Sequence, residues 1–134
     1  MEFSIKVIGR VHSPLQSRET TPKQGEEGSP IAVLVFDPNV QEALSSIGRR
    51  QTAAIHLARP CDRQVLRVHP RDDRTKPLHG VFSTRSPDRP NPIGLHRVTV
   101  VSILDALRFQ VRDLEALDQT PIIDVKAALE GLRE

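Results

Sequence analysis

The sequence predicts a mainly β protein, an antiparallel barrel or sandwich of many short strands with one or two short helices. Three observations carry this. Apolar residues alternate with polar ones in short segments, most clearly Leu107, Phe109 and Val111 between Arg108, Gln110 and Arg112. β-Branched runs recur at residues 31–36 and 97–104. Turn residues bound these segments, at Ser13-Pro14, Pro60-Cys61-Asp62 and Asp105-Ala106.

In chain order, residues 3–11 alternate apolar positions with Ser4, Lys6 and Arg10, as a strand with one buried face does, and Ser13-Pro14 ends it. Residues 16–30 are polar, with Gly25 and Gly28, and read as a long loop of the kind that often carries function. Residues 31–36 form a continuous apolar run and hence a buried strand. Asp37 then stands as an N-cap before a first-turn Pro38, with Val40, Leu44 and Ile47 at helical spacing and Gly48 as C-cap. Residues 51–58 and 64–69 are weaker strands about a turn at Pro60-Cys61-Asp62. Residues 71–76 are a charged, solvated loop. Residues 81–84 make a short strand. Residues 97–104 and 107–112 are two strands joined tightly at Asp105-Ala106, residues 121–125 are the last strand, and residues 126–133 are a short terminal helix.

At 134 residues the chain is expected to be one domain with a single core. Its aromatics are four phenylalanines, so the core must rest on Val, Ile, Leu and Ala. The same scarcity argues against a nucleic-acid binder that stacks bases on exposed rings. A net charge of +2 is only mildly basic, but the arginines bunch at Arg49/Arg50, over residues 59–74 and at Arg85/Arg89. A lone cysteine, Cys61, excludes an internal disulfide and fits a reducing compartment. With no signal-like leader and no apolar run near 18 residues, a cytoplasmic protein without membrane contact is expected. His12, His56, His69, His79, His96 and Cys61 show none of the HxH, HExxH or CxxC spacings, so no metal is expected. No G-x-G occurs either, which argues against a nucleotide cofactor held on a glycine-rich strand-to-helix turn.

One stretch stands apart. Residues 80–95 read GVFSTRSPDRPNPIGL. Pro87, Pro90 and Pro92 each fix their own φ and push Ser86, Arg89 and Asn91 towards extended backbone. Three prolines at compatible sites lower the ordering cost of this loop by about 1–3 kcal/mol. The residues held still are polar, which suits an anionic or hydrogen-bonding ligand. A proline-stapled crossing between strands is the plainer alternative.

This string resembles the signature of the TsaA-like β-barrel methyltransferases, the family of the bacterial tRNA methyltransferase O. Ile8-Gly9-Arg10-Val11-His12-Ser13-Pro14 resembles that family's N-terminal motif, and residues 117–126, LDQTPIIDVK, its late D-G-T-P region. The resemblance implies a small antiparallel β-barrel, S-adenosylmethionine as cofactor, tRNA as partner, and a homodimer. It implies methylation of N6-threonylcarbamoyladenosine beside the anticodon. A methyltransferase acting on a small molecule or another RNA, and a non-catalytic module binding the cofactor or nucleic acid, are the alternatives.

Residue by residue, the resemblance assigns the cofactor to Pro22, Lys23 and Gln24, to His56 and Leu57, to Arg85 and Leu95, and to Asp118, Gln119, Thr120 and Pro121. Arg85 offers a bidentate partner for a carboxylate or phosphate, or a salt bridge to Asp88 or Asp118. His56 among apolar neighbours also fits a satisfied core histidine, and residues 118–121 a polar turn. Arg89 and Asn91 are the substrate candidates. Direct displacement from a sulfonium needs alignment above all, and Asp118, Asp124 and His96 are the candidate bases. Three departures stand out. Gln119 replaces the family's usual Gly, and is strained if that position requires a positive φ. His96 replaces a usual Ser, and Ala127-Ala128 replaces Pro-aromatic.

Overall fold

The computed structural model describes residues 1–14, 31–58 and 61–129. Six strands close into an antiparallel barrel: β1 (Gly9–His12), β2 (Ala32–Phe36), β3 (Gln51–Leu57), β6 (Ile93–Asp105), β7 (Arg108–Arg112) and β8 (Pro121–Ala127), in the spatial order β1-β2-β7-β6-β3-β8. Two further strands, β4 (Arg67–Val68) and β5 (His79–Gly80), pair with each other. The chain falls into two compact units, Met1–His56 with Leu95–Glu134, and Leu57–Gly94.

In the first unit the predicted alternation becomes a core. Val11, Leu34, Phe36, Ala54, Val98, Val100, Phe109, Val111 and Ile122 are all buried in one cluster. As the composition requires, it is mostly aliphatic, with Phe36 and Phe109 meeting edge to face at 5.9 Å. Leu34 opposite Phe109 and Ala32 opposite Val111 set the β2–β7 register. Gly9 allows β1 to lie against β2. A Cβ there would stand 2.5 Å from the Val35 carbonyl oxygen and 3.0 Å from Phe36 Cα.

Several local expectations are corrected. Residues 3–8 are not strand: Phe3 is 83% exposed, and the β1–β8 register begins at Gly9 opposite Ile122. Ile8 N still donates to Ile122 O and Asp37 N to Ile8 O, each at 2.9 Å, but among the described residues no strand pairs with residues 3–7. The helix after β2 is a 3-10 helix over Pro38–Leu44, ending at Ser45 rather than Gly48, and Asp37 makes no side-chain cap. Bonds from Val40 N to Asp37 O and from Ser45 N to Glu42 O have the three-residue spacing. Its apolar face is as expected, with Leu44 buried and Val40 and Ile47 packed on the core.

In the second unit, the predicted strand at 64–69 shortens to Arg67–Val68, and that at 81–84 is a 3-10 turn over Val81–Ser83. Residues 126 and 127 extend β8 instead of starting a helix. The loop at 16–30 and the end of the predicted terminal helix lie outside the described residues, as do Arg59 and Pro60.

Candidate functional site

The late acidic turn is built by β1. Thr120 N donates to Leu117 O (3.1 Å), and the turn is tied on both sides to Val11, by Gln119 N to Val11 O (2.7 Å) and Val11 N to Thr120 O (3.0 Å). Asp118 Oδ1 accepts from Ser13 N at 2.9 Å. That backbone donor holds the Asp118 carboxyl below the usual range, with Gln119 and His12 adding to the effect. The second carboxylate oxygen keeps acceptor capacity for a hydroxyl or an ammonium. Gln119 has φ 68°, the left-handed conformation that glycine takes without strain. Its carbonyl accepts from Arg10 Nη1 at 3.2 Å. Thr120 and Pro121 are buried beneath the turn.

On the neighbouring strands β3 and β6, His56 and His96 come together. Their rings stack with centroids 5.0 Å apart, and Nε2 of His56 lies 2.8 Å from Nδ1 of His96. Nε2 of His96 lies 3.3 Å from Glu115 Oε1. His56 is 5% exposed. The series is thus a hydrogen-bonded run of two imidazoles and a carboxylate, from residues 40 and 19 positions apart. Glu115 was not among the residues singled out from the sequence. Its one signal there is an acid set between two apolar positions, Leu114 and Ala116, both of which are buried. Leu95, half-buried, lies one residue before His96 on β6.

Asp124 stands elsewhere in this unit. It pairs with Lys126 at 3.3 Å and accepts from Val125 N at 2.8 Å. With Arg97, Arg50 and Ile47 it lines a hollow of about 680 Å³ below the 3-10 helix. Among the described residues, none of the others nominated lines that hollow.

In the second unit the proline-rich loop is braced by its own polar groups. Arg89 Nη1 donates to the carbonyls of Thr84 (3.0 Å) and Ser86 (3.1 Å), and its guanidinium lies 5.9 Å from the Phe82 ring centre. Arg63 reaches across with Nε to Pro90 O (2.7 Å) and Nη2 to Asn91 Oδ1 (3.2 Å). Asp88 Oδ1 accepts from Asp62 N at 2.8 Å. Arg89 and Asn91 therefore spend part of their hydrogen-bonding capacity on the loop itself. Arg85 is exposed on it, and Leu57, half-buried, opens the unit. Nothing in the sequence marks Arg63 as the brace, because it acts 27 and 28 positions away. Pro22, Lys23 and Gln24 lie outside the described residues. Among the described residues, no group of three His, Cys, Asp or Glu side chains is arranged to hold a metal ion.

These features define a small closed-barrel protein whose polar residues gather on strand ends, one acidic turn and one proline-set loop, in place of a glycine-rich nucleotide turn. Residues 10–132 match the model of the tRNA-methyltransferase O N-terminal domain, and the chain belongs to that family. It is 39% identical over 136 residues to a probable S-adenosyl-L-methionine-binding protein of Methanothermobacter thermautotrophicus, covering 98% of this chain and 94% of that one. Against a tRNA (adenine(37)-N6)-methyltransferase of Escherichia coli it is 40% identical over 53 residues, 37% of this chain and 23% of the enzyme. A crystal structure of TrmO superposes with a TM-score of 0.76 at 26% identity, over all of this chain and 64% of the crystallised one. The chain thus spans somewhat less than two thirds of that protein's length.

Proposed function

We propose that this protein is an S-adenosylmethionine-dependent tRNA methyltransferase of the β-barrel type, acting on N6-threonylcarbamoyladenosine next to the anticodon. The family match over residues 10–132, which include the loop GVFSTRSPDRPNPIGL, is the observation on which this reading rests. The residues present suit the cofactor. Asp118 keeps acceptor capacity for an ammonium or a ribose hydroxyl, and its turn is fixed by two bonds to Val11. Arg85 supplies a guanidinium for the amino-acid carboxylate. His56, Leu57 and Leu95, with Gln119, Thr120 and Pro121, complete the set, together with Pro22, Lys23 and Gln24. Arg89 and Asn91 use their remaining donors and acceptors on the substrate.

Bound there, the cofactor supplies a methyl group already activated by its positive sulfur. The chain's own part is to orient it, to exclude water, and to hold the accepting nitrogen in line. Neither a metal nor a covalent enzyme intermediate is required. The protein works in the cytoplasm as a homodimer, and sedimentation at micromolar concentration should show a species of twice 15.0 kDa.

A second reading has its own support. The Methanothermobacter relative of nearly equal length is named for binding the cofactor alone, while the similarity to the Escherichia coli enzyme covers 23% of its length. A methyl acceptor other than tRNA, or a non-catalytic cofactor-binding module, agrees with that pattern. Calorimetry with S-adenosylmethionine and transfer of labelled methyl to total tRNA from cells lacking the protein decide between them. Binding with label in one modified nucleoside supports the enzyme. Binding without label supports the module or another acceptor, and absence of binding removes both readings.

A further inference from the structure

Phe82 is 79% exposed, more than any other large apolar side chain among the described residues of its unit. A single exposed apolar residue is ordinary, but this one stands on fixed backbone. It is the middle residue of the 3-10 turn Val81–Ser83, whose first residue is buried. Val81 N donates to Leu66 O (2.9 Å), and Val81 O accepts from Thr84 N (3.0 Å) and Thr84 Oγ1 (2.8 Å). Its neighbour is fixed as well. Arg89 lies over the ring, its guanidinium carbon 5.9 Å from the ring centre. Arg89 Nη1 spends its two protons on the Thr84 and Ser86 carbonyls, which leaves the donors of Nε and Nη2 for a ligand.

A ring with an open face and a cation beside it match the two parts of one nucleotide. From this juxtaposition we propose that Phe82 and Arg89 form a platform for a single unpaired nucleotide. The base stacks on the ring face turned away from Arg89, and the phosphate accepts from Arg89 Nε or Nη2. The proposal deepens the tRNA reading and rests on it, since it names where one base of the RNA loop is held.

The surroundings favour a nucleotide over the apolar surface of a protein. An apolar partner laid on Phe82 would cover the remaining Arg89 donors without satisfying them, which is costly beside a fixed charge. A phosphate satisfies them. Residues 57–94 carry eight Lys and Arg against four Asp and Glu. One of these cations, Arg67, is exposed and lies opposite Gly80 in the β4–β5 register, two residues from Phe82 in the chain. The scarcity of aromatics excludes stacking along a strand, but one base needs one ring. A base paired in a duplex is already stacked on both faces, so the platform takes only a base from a loop or single strand. Every base has a π-face, so it selects position and not sequence.

The chain has no tryptophan, so Phe82→Trp places a fluorophore at this position alone. Its emission should be quenched by an RNA hairpin carrying an anticodon loop, and unchanged by fully paired RNA of the same length. Phe82→Ala and Phe82→Leu should each weaken hairpin binding about tenfold. Neither removes a charge, so the slope of log affinity against log salt should stay at its wild-type value. Leucine is the discriminating variant, because it keeps apolar surface and has no π-face. The side chain is exposed, so urea midpoints of these variants should match the wild type. A Phe82→Leu chain that binds the hairpin like the wild type overturns the platform, as does emission that responds equally to both RNAs. A blue shift with protein concentration alone also overturns it, by placing the ring against a second copy. Quenching without methyl transfer removes the enzymatic reading and leaves the platform, whereas methyl transfer with unquenched emission does the reverse.

Discussion

Gln119 sits at φ 68° in the turn that presents Asp118. Left-handed backbone costs a non-glycine residue about 1–2 kcal/mol, while glycine raises the unfolded-state entropy by roughly 0.5–1 kcal/mol. The strain is the larger effect. Gln119→Gly should therefore stabilise the chain by about 0.5–1 kcal/mol, since the backbone bonds to Val11 and Arg10 survive and the exposed side chain contributes one long contact of 3.4 Å to Asp118. Urea denaturation checks this, and a midpoint that falls would show that the side chain does more than its contacts indicate. Asp118 itself makes stability depend on acid. Its carboxyl is held below the usual range chiefly by Ser13 N–H. Its contribution is thus fully present above the unfolded value of about 3.9 and is lost as pH falls through the lower folded value. Asp118→Asn keeps an acceptor without the charge. The stability gap between the two proteins should be widest near neutral pH and close as pH falls below about 4, whereas a gap independent of pH would mean that charge plays no part at this turn.

At the scale of elements, what was legible in the sequence depended on whether a segment's neighbours were needed to read it. β7 was plain because Phe109 and Val111 alternate with charged or amide residues and both are buried. Residues 3–7 carry the same alternation, yet among the described residues no ladder extends past Ile8 to them, and a pattern without a partner strand makes no strand. The segment after β2 has an apolar face at helical spacing, but Pro38 and the short span leave it with three-residue bonds in place of four. The candidate site is legible where one stretch holds it, as in the proline loop and the 117–121 turn. It was not legible where pairing across the barrel assembled it, as with Glu115 beside His96, or where a distant residue braced it, as with Arg63. β1 shows how closely such pairing is set. A methyl group on Gly9 would meet backbone atoms of β2 at 2.5 and 3.0 Å, and no rotamer change relieves a clash with backbone. Gly9→Ala should cost about 2 kcal/mol or more, read as a lower urea midpoint. A midpoint that does not change would mean that β1 and β2 separate without loss.

Charge is divided unevenly over the whole molecule. Residues 57–94 carry eight Lys and Arg against four Asp and Glu, a net +4, while the rest of the chain carries a net −2. The modest overall charge of +2 therefore conceals a basic unit, and the nucleic-acid partner of the proposed function is expected to bind there. Its one phenylalanine, Phe82, is 79% exposed, but a single ring offers little stacking, so phosphate contacts must dominate. If the four uncompensated charges neutralise four phosphates of a single-stranded loop, the slope of log affinity against log salt is about −3. Affinity for tRNA should then fall roughly fifty-fold between 50 and 200 mM salt. Arg67 and Arg74 are both exposed. Reversing both, Arg67→Glu with Arg74→Glu, brings the unit to zero net charge. This should flatten the salt dependence and remove most of the low-salt affinity without altering cofactor binding. Filter binding over a salt series measures both quantities, and a double variant that keeps the wild-type slope would place the RNA on some other surface.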